Sequence, residues 1–475
     1  MIVGVAALVL GGAPGNAAAQ TPGDPYYNFL MGLHLENEEN PTGALAALER
    51  AAAADPKSAE VRAEIASLQY RRAVNSPTRR DDLRDEAERA AKAALVLDEK
   101  NFEANRVLGL VYATSATNER NTNAQTEAYV RDSITHLERA VAASPAGLPD
   151  LNVNFTLGRM YTVANQPEKG VEALRRVLSQ SPSSVQARLA LSQAYAAMGD
   201  LKSAITVLDE IAEESPVVLE EMARYQASAG LLKEAIATFT RSLQTQPNSR
   251  RLKQQRITAA IEDQQYQQAA AYASEAQAQH ADDPSFPRLH ATALLRSGNP
   301  QRALQVLESA AAKFPRDSDT QFTLADLYAE SGRSQEAEKT LRQLLTVNPF
   351  DHRVLNYLGY MLAQNGRDLD EAIQLVNRAL QGDPGRAEYL DSLGWAHFKR
   401  GDLPEAERYL TEAAQKRPDH PEILDHLGDV LAKQGRWQDA ITAWTRARLT
   451  AHTDNGVDPA ELQRKIEDAR SRTAK

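Results

Sequence analysis

The chain has 475 residues, 25% of them charged, with a formal net charge of −10 and no cysteine. That length exceeds one ordinary globular core, so it implies either two or three domains or an array of repeats. The missing cysteine excludes disulfides, thiolate zinc sites, cysteine nucleophiles and a lipid anchor on an N-terminal cysteine. Interleaved acids and bases argue against nucleic-acid binding, which needs a basic face.

Reading from the start, Ile2 to Leu10 is apolar, and small residues follow as far as Ala17-Ala18-Ala19-Gln20. This is the h-region and A-x-A site of a secretory signal, although no Lys or Arg follows Met1, and it predicts cleavage after Ala19. The mature protein is then periplasmic or secreted. An uncleaved anchor is the alternative, or a cytoplasmic scaffold if the stretch is no signal. No later stretch is long and apolar enough to span a membrane.

From Asp24 onward a small residue recurs with a second one twelve positions later. Gly32/Ala44, Gly158/Gly170, Ser192/Ala204, Ala223/Ala235, Ala291/Ala303, Ala325/Ala337, Gly394/Ala406 and Gly428/Ala440 keep that spacing. Ile257/Ala269 keeps it with a bulky first member, and Gly359/Ala372 is one residue longer. Two early pairs, Ala66/Ala87 and Gly109/Ser133, carry insertions of nine and twelve residues. The first insertion holds Arg71, Arg72, Arg79 and Arg80, and the second holds Asn118, Asn121 and Asn123. They predict either longer helices or functional loops. Ala235, Ala269, Ala303 and Ala337 are each 34 residues apart, and prolines from Pro145 through Pro182, Pro216, Pro247, Pro284, Pro315, Pro349 and Pro384 to Pro418 run in step.

The pattern predicts paired antiparallel helices, A then B. A glycine inside a helix costs about 1 kcal/mol against alanine, so its return at one helical position signals close packing. Gly332, Gly366, Gly401 and Gly435 fall in the A-to-B turns, where positive φ is needed. The prolines close the B helices. Trp444 takes a large apolar core position, and Trp437 lies in a turn. Asp458-Pro459-Ala460-Glu461 starts a final helix with a stripe of Leu462, Ile466 and Ala469.

The repeat resembles the tetratricopeptide repeat (TPR) family. Leu157-Gly158 with Tyr161, Leu358-Gly359, Leu393-Gly394 and Leu427-Gly428 carry the likeness. It implies an all-α, right-handed superhelical solenoid of about twelve helix-turn-helix units with a C-terminal capping helix. The expected divisions are a signal at 1–19, N-terminal units with insertions at 20–145, a regular array at 146–452 and a cap at 453–475. No Walker loop, Gly-x-Gly-x-x-Gly, Gly-x-Ser-x-Gly or His-Glu-x-x-His occurs, so no enzyme, cofactor or metal is expected. His420 and His426, six residues apart, do not share a helix face.

In TPR proteins the A helices line a concave groove, into which repeat positions 2, 5, 9 and 12 point. That resemblance nominates Phe322, Asp326, Asn356, Tyr360, Asp391, Trp395, Phe398, Asp425 and Asp429 as the partner-binding groove. The acids with aromatic islands suit a segment bearing Lys or Arg beside apolar anchors. Trp395→Ala with Asp391→Lys is expected to weaken binding at unchanged stability. The last four units resemble bacterial envelope TPR adaptors that deliver substrates to a processing protease. The implied partners are an envelope protease or its substrates. The alternatives are an assembly factor of a secretion, pilus or polysaccharide-export machine, or a cytoplasmic TPR scaffold.

Overall fold

The computed structural model describes residues 23–76, 78–144, 150–212, 215–451 and 457–473. The apolar start, its expected cleavage site and Pro145 lie outside these residues. Twenty-five helices and no strand occur among the described residues. They divide into two compact bodies, one up to Pro247 and one from Asn248.

The first body holds six helix pairs. They are α1 (Pro25–Asn37) with α2 (Pro41–Ala54), α3 (Ala59–Asn75) with α4 (Arg80–Leu97), and α5 (Phe102–Ala116) with α6 (Asn123–Ala143). Then come α7 (Leu151–Val163) with α8 (Pro167–Gln180), α9 (Val185–Ala197) with α10 (Leu201–Asp209), and α11 (Pro216–Ser228) with α12 (Leu232–Thr245). The second body continues with α13 (Arg250–Glu262) and α14 (Tyr266–Gln279), α15 (Ser285–Arg296) and α16 (Pro300–Lys313), and α17 (Ser318–Glu330) and α18 (Ser334–Val347). It ends with α19 (His352–Gln364) and α20 (Leu369–Gly382), α21 (Ala387–Arg400) and α22 (Leu403–Lys416), α23 (Pro421–Lys433) and α24 (Trp437–Thr450), and the lone α25 (Pro459–Thr473). The twelve pairs match the twelve units of the sequence.

Local chemistry starts many of the helices. Asp24, Ser58, Asn101, Asp150, Ser184 and Asp317 precede A helices and accept a backbone N–H with their side chains. Several B helices open instead on proline at N1, as at Pro41, Pro167 and Pro300. In the short A-to-B turns one residue is left-handed. Gly332, Gly366, Gly401 and Gly435 supply it at φ of +74°, +64°, +90° and +80°. Glu39, Asn165 and Gln264 take the same conformation without being glycine. Asp368, the extra residue of the Gly359/Ala372 repeat, adds a second left-handed position there at φ +45°.

The recurrent small residues do what their spacing predicts. A Cβ on Gly394 would stand 2.6 Å from Leu410 Cγ and 3.2 Å from the Ala406 carbonyl oxygen. Gly158 meets Leu174 at 2.6 Å and Gly359 meets Val376 at 2.6 Å in the same way. The pair twelve apart therefore sets the A–B approach, and a large residue four positions further on fills the space above the glycine. Within each body A helices also touch the next A helix, as α3 does α5 and α21 does α23, so these A helices share one face.

One alternative is decided and one expectation changes. The insertions in the second and third repeats are absorbed mainly as longer helices, with α6 running 21 residues. Their charges are largely satisfied: Arg71 binds Glu36 and Glu64 at 2.6 and 2.8 Å, and Asn121 donates to the Ser115 carbonyl. Pro216 and Pro284 do not close B helices. Pro216 is the first residue of α11, and Pro284 is the N-cap of α15, positions where a missing N–H costs nothing. Elsewhere the rule holds, with α12, α16, α18, α20 and α22 each ending two residues before a proline.

Candidate functional site

The A-helix face of α17, α19, α21 and α23 carries the nominated residues, because spacings of three and four place side chains on one side of a helix. At the α17–α19 step the face is half open. Arg353 Nη2 donates to Asp319 Oδ1 at 2.9 Å, and its guanidinium lies 4.5 Å from the Phe322 ring centre. Phe322 meets Tyr357 edge-on at 5.3 Å. The Tyr357 hydroxyl donates to Asp326 Oδ1 at 2.5 Å. Burial, reinforced by the Asp326 charge, holds that phenol well above its ordinary range. Asn356 has a buried Oδ1 with no hydrogen-bond partner among the described residues.

The next step is closed. Asp391 and Trp395 were expected to face an open groove, yet they are 5% and 6% exposed. The cause is His426, one helix further on. Its Nδ1 lies 2.9 Å from Asp391 Oδ1, and its ring stacks on Trp395 with centroids 4.1 Å apart. Trp395 also stacks on Phe398 at 5.0 Å and donates from Nε1 to Gln364 at 2.7 Å. Lys399 Nζ lies 4.7 Å from the Trp395 ring centre. The Tyr360 hydroxyl reaches across to Glu422 Oε1 at 3.1 Å, tying α19 to α23.

Electrostatics explain why a charged pair survives there. Burial by itself would depress the His426 pKa. The Asp391 carboxylate, helped by Glu422 and Asp425, outweighs that effect and holds it up to about 9. His426 is therefore an imidazolium at neutral pH, facing a carboxylate in a dry setting.

The last step is filled by the chain itself. Lys465 of α25 donates to Asp425 Oδ1 at 2.7 Å and to Asp429 Oδ1 at 2.8 Å. Asp425 and Asp429 are thus not free groove acids, which corrects that expectation too. Burial and the neighbouring Asp429 raise the Asp425 pKa against the pull of Lys465. Below this contact Leu462, Ile466 and Ala469 bury the predicted stripe in a cluster with Trp444, which is 4% exposed. Trp437 is half-buried under Arg472.

Phe322, Asp326, Asn356, Tyr360 and Phe398 keep partial exposure. His426 was missed as a member of the site. Its signal was available, since Glu422 and His426 stand four residues apart on α23 and share a face. No helix of the described residues is long and apolar enough to cross a membrane.

A TPR repeat-containing protein of Pseudomonas aeruginosa is 28% identical over 113 residues, which is 24% of this chain and 19% of that protein. The match thus leaves most of that relative uncovered. Yeast Tom70 superposes with a TM-score of 0.45 at 12% identity, covering 95% of this chain and 96% of that one. A tetratricopeptide repeat protein from Parabacteroides merdae gives 0.45 at 15% identity, over 54% of this chain and 99% of that one. One tetratricopeptide repeat model matches residues 163–229 and 294–358, and a second matches 255–318 and 392–455. The two models show tetratricopeptide repeats in these four stretches, and the repeat spacing and the helix pairs extend the same pattern across the described residues.

Proposed function

We propose that this chain is a non-catalytic adaptor of the bacterial cell envelope. It binds a partner's helical or extended segment on the A-helix face of the second body. The observation that carries this reading is the Lys465 contact. A helix with an apolar stripe and one lysine is held there by carboxylates on two successive turns of α23. This intramolecular contact supports a ligand with Lys or Arg beside apolar side chains.

The open part lies around Phe322, Asn356 and Phe398. Asn356 is half-buried, and half-buried rings flank it along the face. The envelope assignment rests on the apolar, small-residue start of the sequence. A protease-substrate adaptor is the finer form of the reading, supported by the likeness of the last four repeats to such adaptors.

Because Asp391 and Trp395 are buried, the double replacement Trp395→Ala with Asp391→Lys would unfold the last repeats. The informative variant is Phe322→Ala with Asn356→Lys. Affinity capture from envelope fractions should recover a partner with the wild type and lose it with this variant at equal helicity. Capture that is equal for both excludes this face. N-terminal sequencing of the mature protein should begin at Gln20; a start at Met1 would remove the envelope assignment.

A further inference from the structure

Asp391, Glu422 and His426 each place a ligand atom within 4.8 Å of the others, the only such grouping of metal-ligating side chains among the described residues. We propose that they bind one divalent transition-metal ion of the zinc type, bridging α21 and α23. The proposal does not depend on the adaptor reading.

Three features support it. Glu422 and His426 are one helical turn apart on one face of α23, and Asp391 comes from the adjoining α21, so two packed helices hold the ligands rather than loops. Asp391 and His426 are more than nine-tenths buried, so water competes weakly for them. The supporting contacts are also in place. Tyr360 donates to Glu422, and Trp395, itself fixed by Gln364, covers the imidazole face. Hydrogen-bonded carboxylates and oriented imidazoles are what metal sites use beyond their direct ligands.

Charge balance favours the ion. The two carboxylates carry −2, which a dication offsets, while the imidazole binds through an unprotonated nitrogen. One nitrogen and two oxygens suit zinc better than magnesium or calcium, which prefer all-oxygen sets. Three protein ligands leave a fourth position for water or a partner's side chain. Binding would tie the eleventh repeat to the twelfth.

The test is calorimetric titration of the full-length chain, free of any affinity tag, with zinc chloride. The expected result is one site per chain and a raised melting midpoint. Magnesium chloride should give no saturable heat. Glu422→Gln should weaken zinc binding by more than about tenfold. Glutamine still accepts from Tyr360 and the position is half-buried, so this variant keeps the fold. His426→Gln should do the same where it folds. Absence of saturable zinc binding, or an affinity unchanged in Glu422→Gln, overturns the proposal.

Discussion

The seventh and eleventh repeats solve one packing problem in opposite ways. In the eleventh, Gly394 on α21 is the small partner and Leu410 on α22 fills the gap above it. In the seventh, the same A-helix position is Ile257, and the B-helix position that matches Leu410 is Ala273. Both are fully buried in one cluster with Ala276 and Phe286. Volume is conserved by exchanging large and small across the helix pair. The seventh repeat also puts Lys253 and Arg256 where the eleventh has Leu390 and Leu393. Both cations are buried, and burial lowers their pKa values. The repeat tolerates them through Gln279 beside Lys253 and the Tyr272 ring 3.8 Å from the Arg256 guanidinium. What defines a repeat here is therefore summed volume across the A–B contact, not any one residue.

The eleventh repeat is the more sensitive of the two. Asp391→Ala leaves His426 as an uncompensated buried charge and should cost about 3–5 kcal/mol. All three tryptophans lie in the second body, so denaturant unfolding followed by tryptophan fluorescence reports on it alone. The wild type should also show a pH dependence that this variant lacks. His426 titrates near 9 in the folded chain, above the ordinary histidine value near 6.5. Its stabilisation is thus full below about pH 6.5 and is lost as pH rises through about 9. That amounts to about 3 kcal/mol.

Leu410→Ala should cost about 2–5 kcal/mol, because it opens a cavity over Gly394. The reciprocal change, Ala273→Leu, should cost about 1–3 kcal/mol by overpacking against Ile257. Combining it with Ile257→Ala should recover most of that loss, as seen in a double-mutant cycle. Additive losses would show that volume exchange is not what holds the seventh repeat. The smallest expected effect is a gain. Lys253→Leu should stabilise the second body by about 1 kcal/mol by removing a buried cation, read as a higher denaturation midpoint.

The small-residue pairs, the left-handed turn glycines and Trp444 were legible in the sequence, because each follows from the geometry of one helix pair. Asp391, Trp395, Asp425 and Asp429 were misjudged because their surroundings come from a later helix. Asp391 and Trp395 are covered by His426, and Asp425 and Asp429 are neutralised by Lys465 of the terminal helix. Position within one repeat tells which way a side chain points. Only the facing residues of the following helix tell whether it stays open. Tyr357 on Asp326 repeats the lesson, since it too reaches back from the next A helix.

Partner binding on the A-helix face is the central claim, and site-directed photocrosslinking in producing cells tests it most directly. A photoreactive residue would replace Phe322, Asn356 or Phe398 on that face, and Val347, Phe350 or Leu449 at exposed positions on or after the B helices. One discrete crosslinked partner from the A-helix positions, absent from the B-helix positions, is the predicted result. The same partner from B-helix positions alone, or from both sets equally, would contradict it.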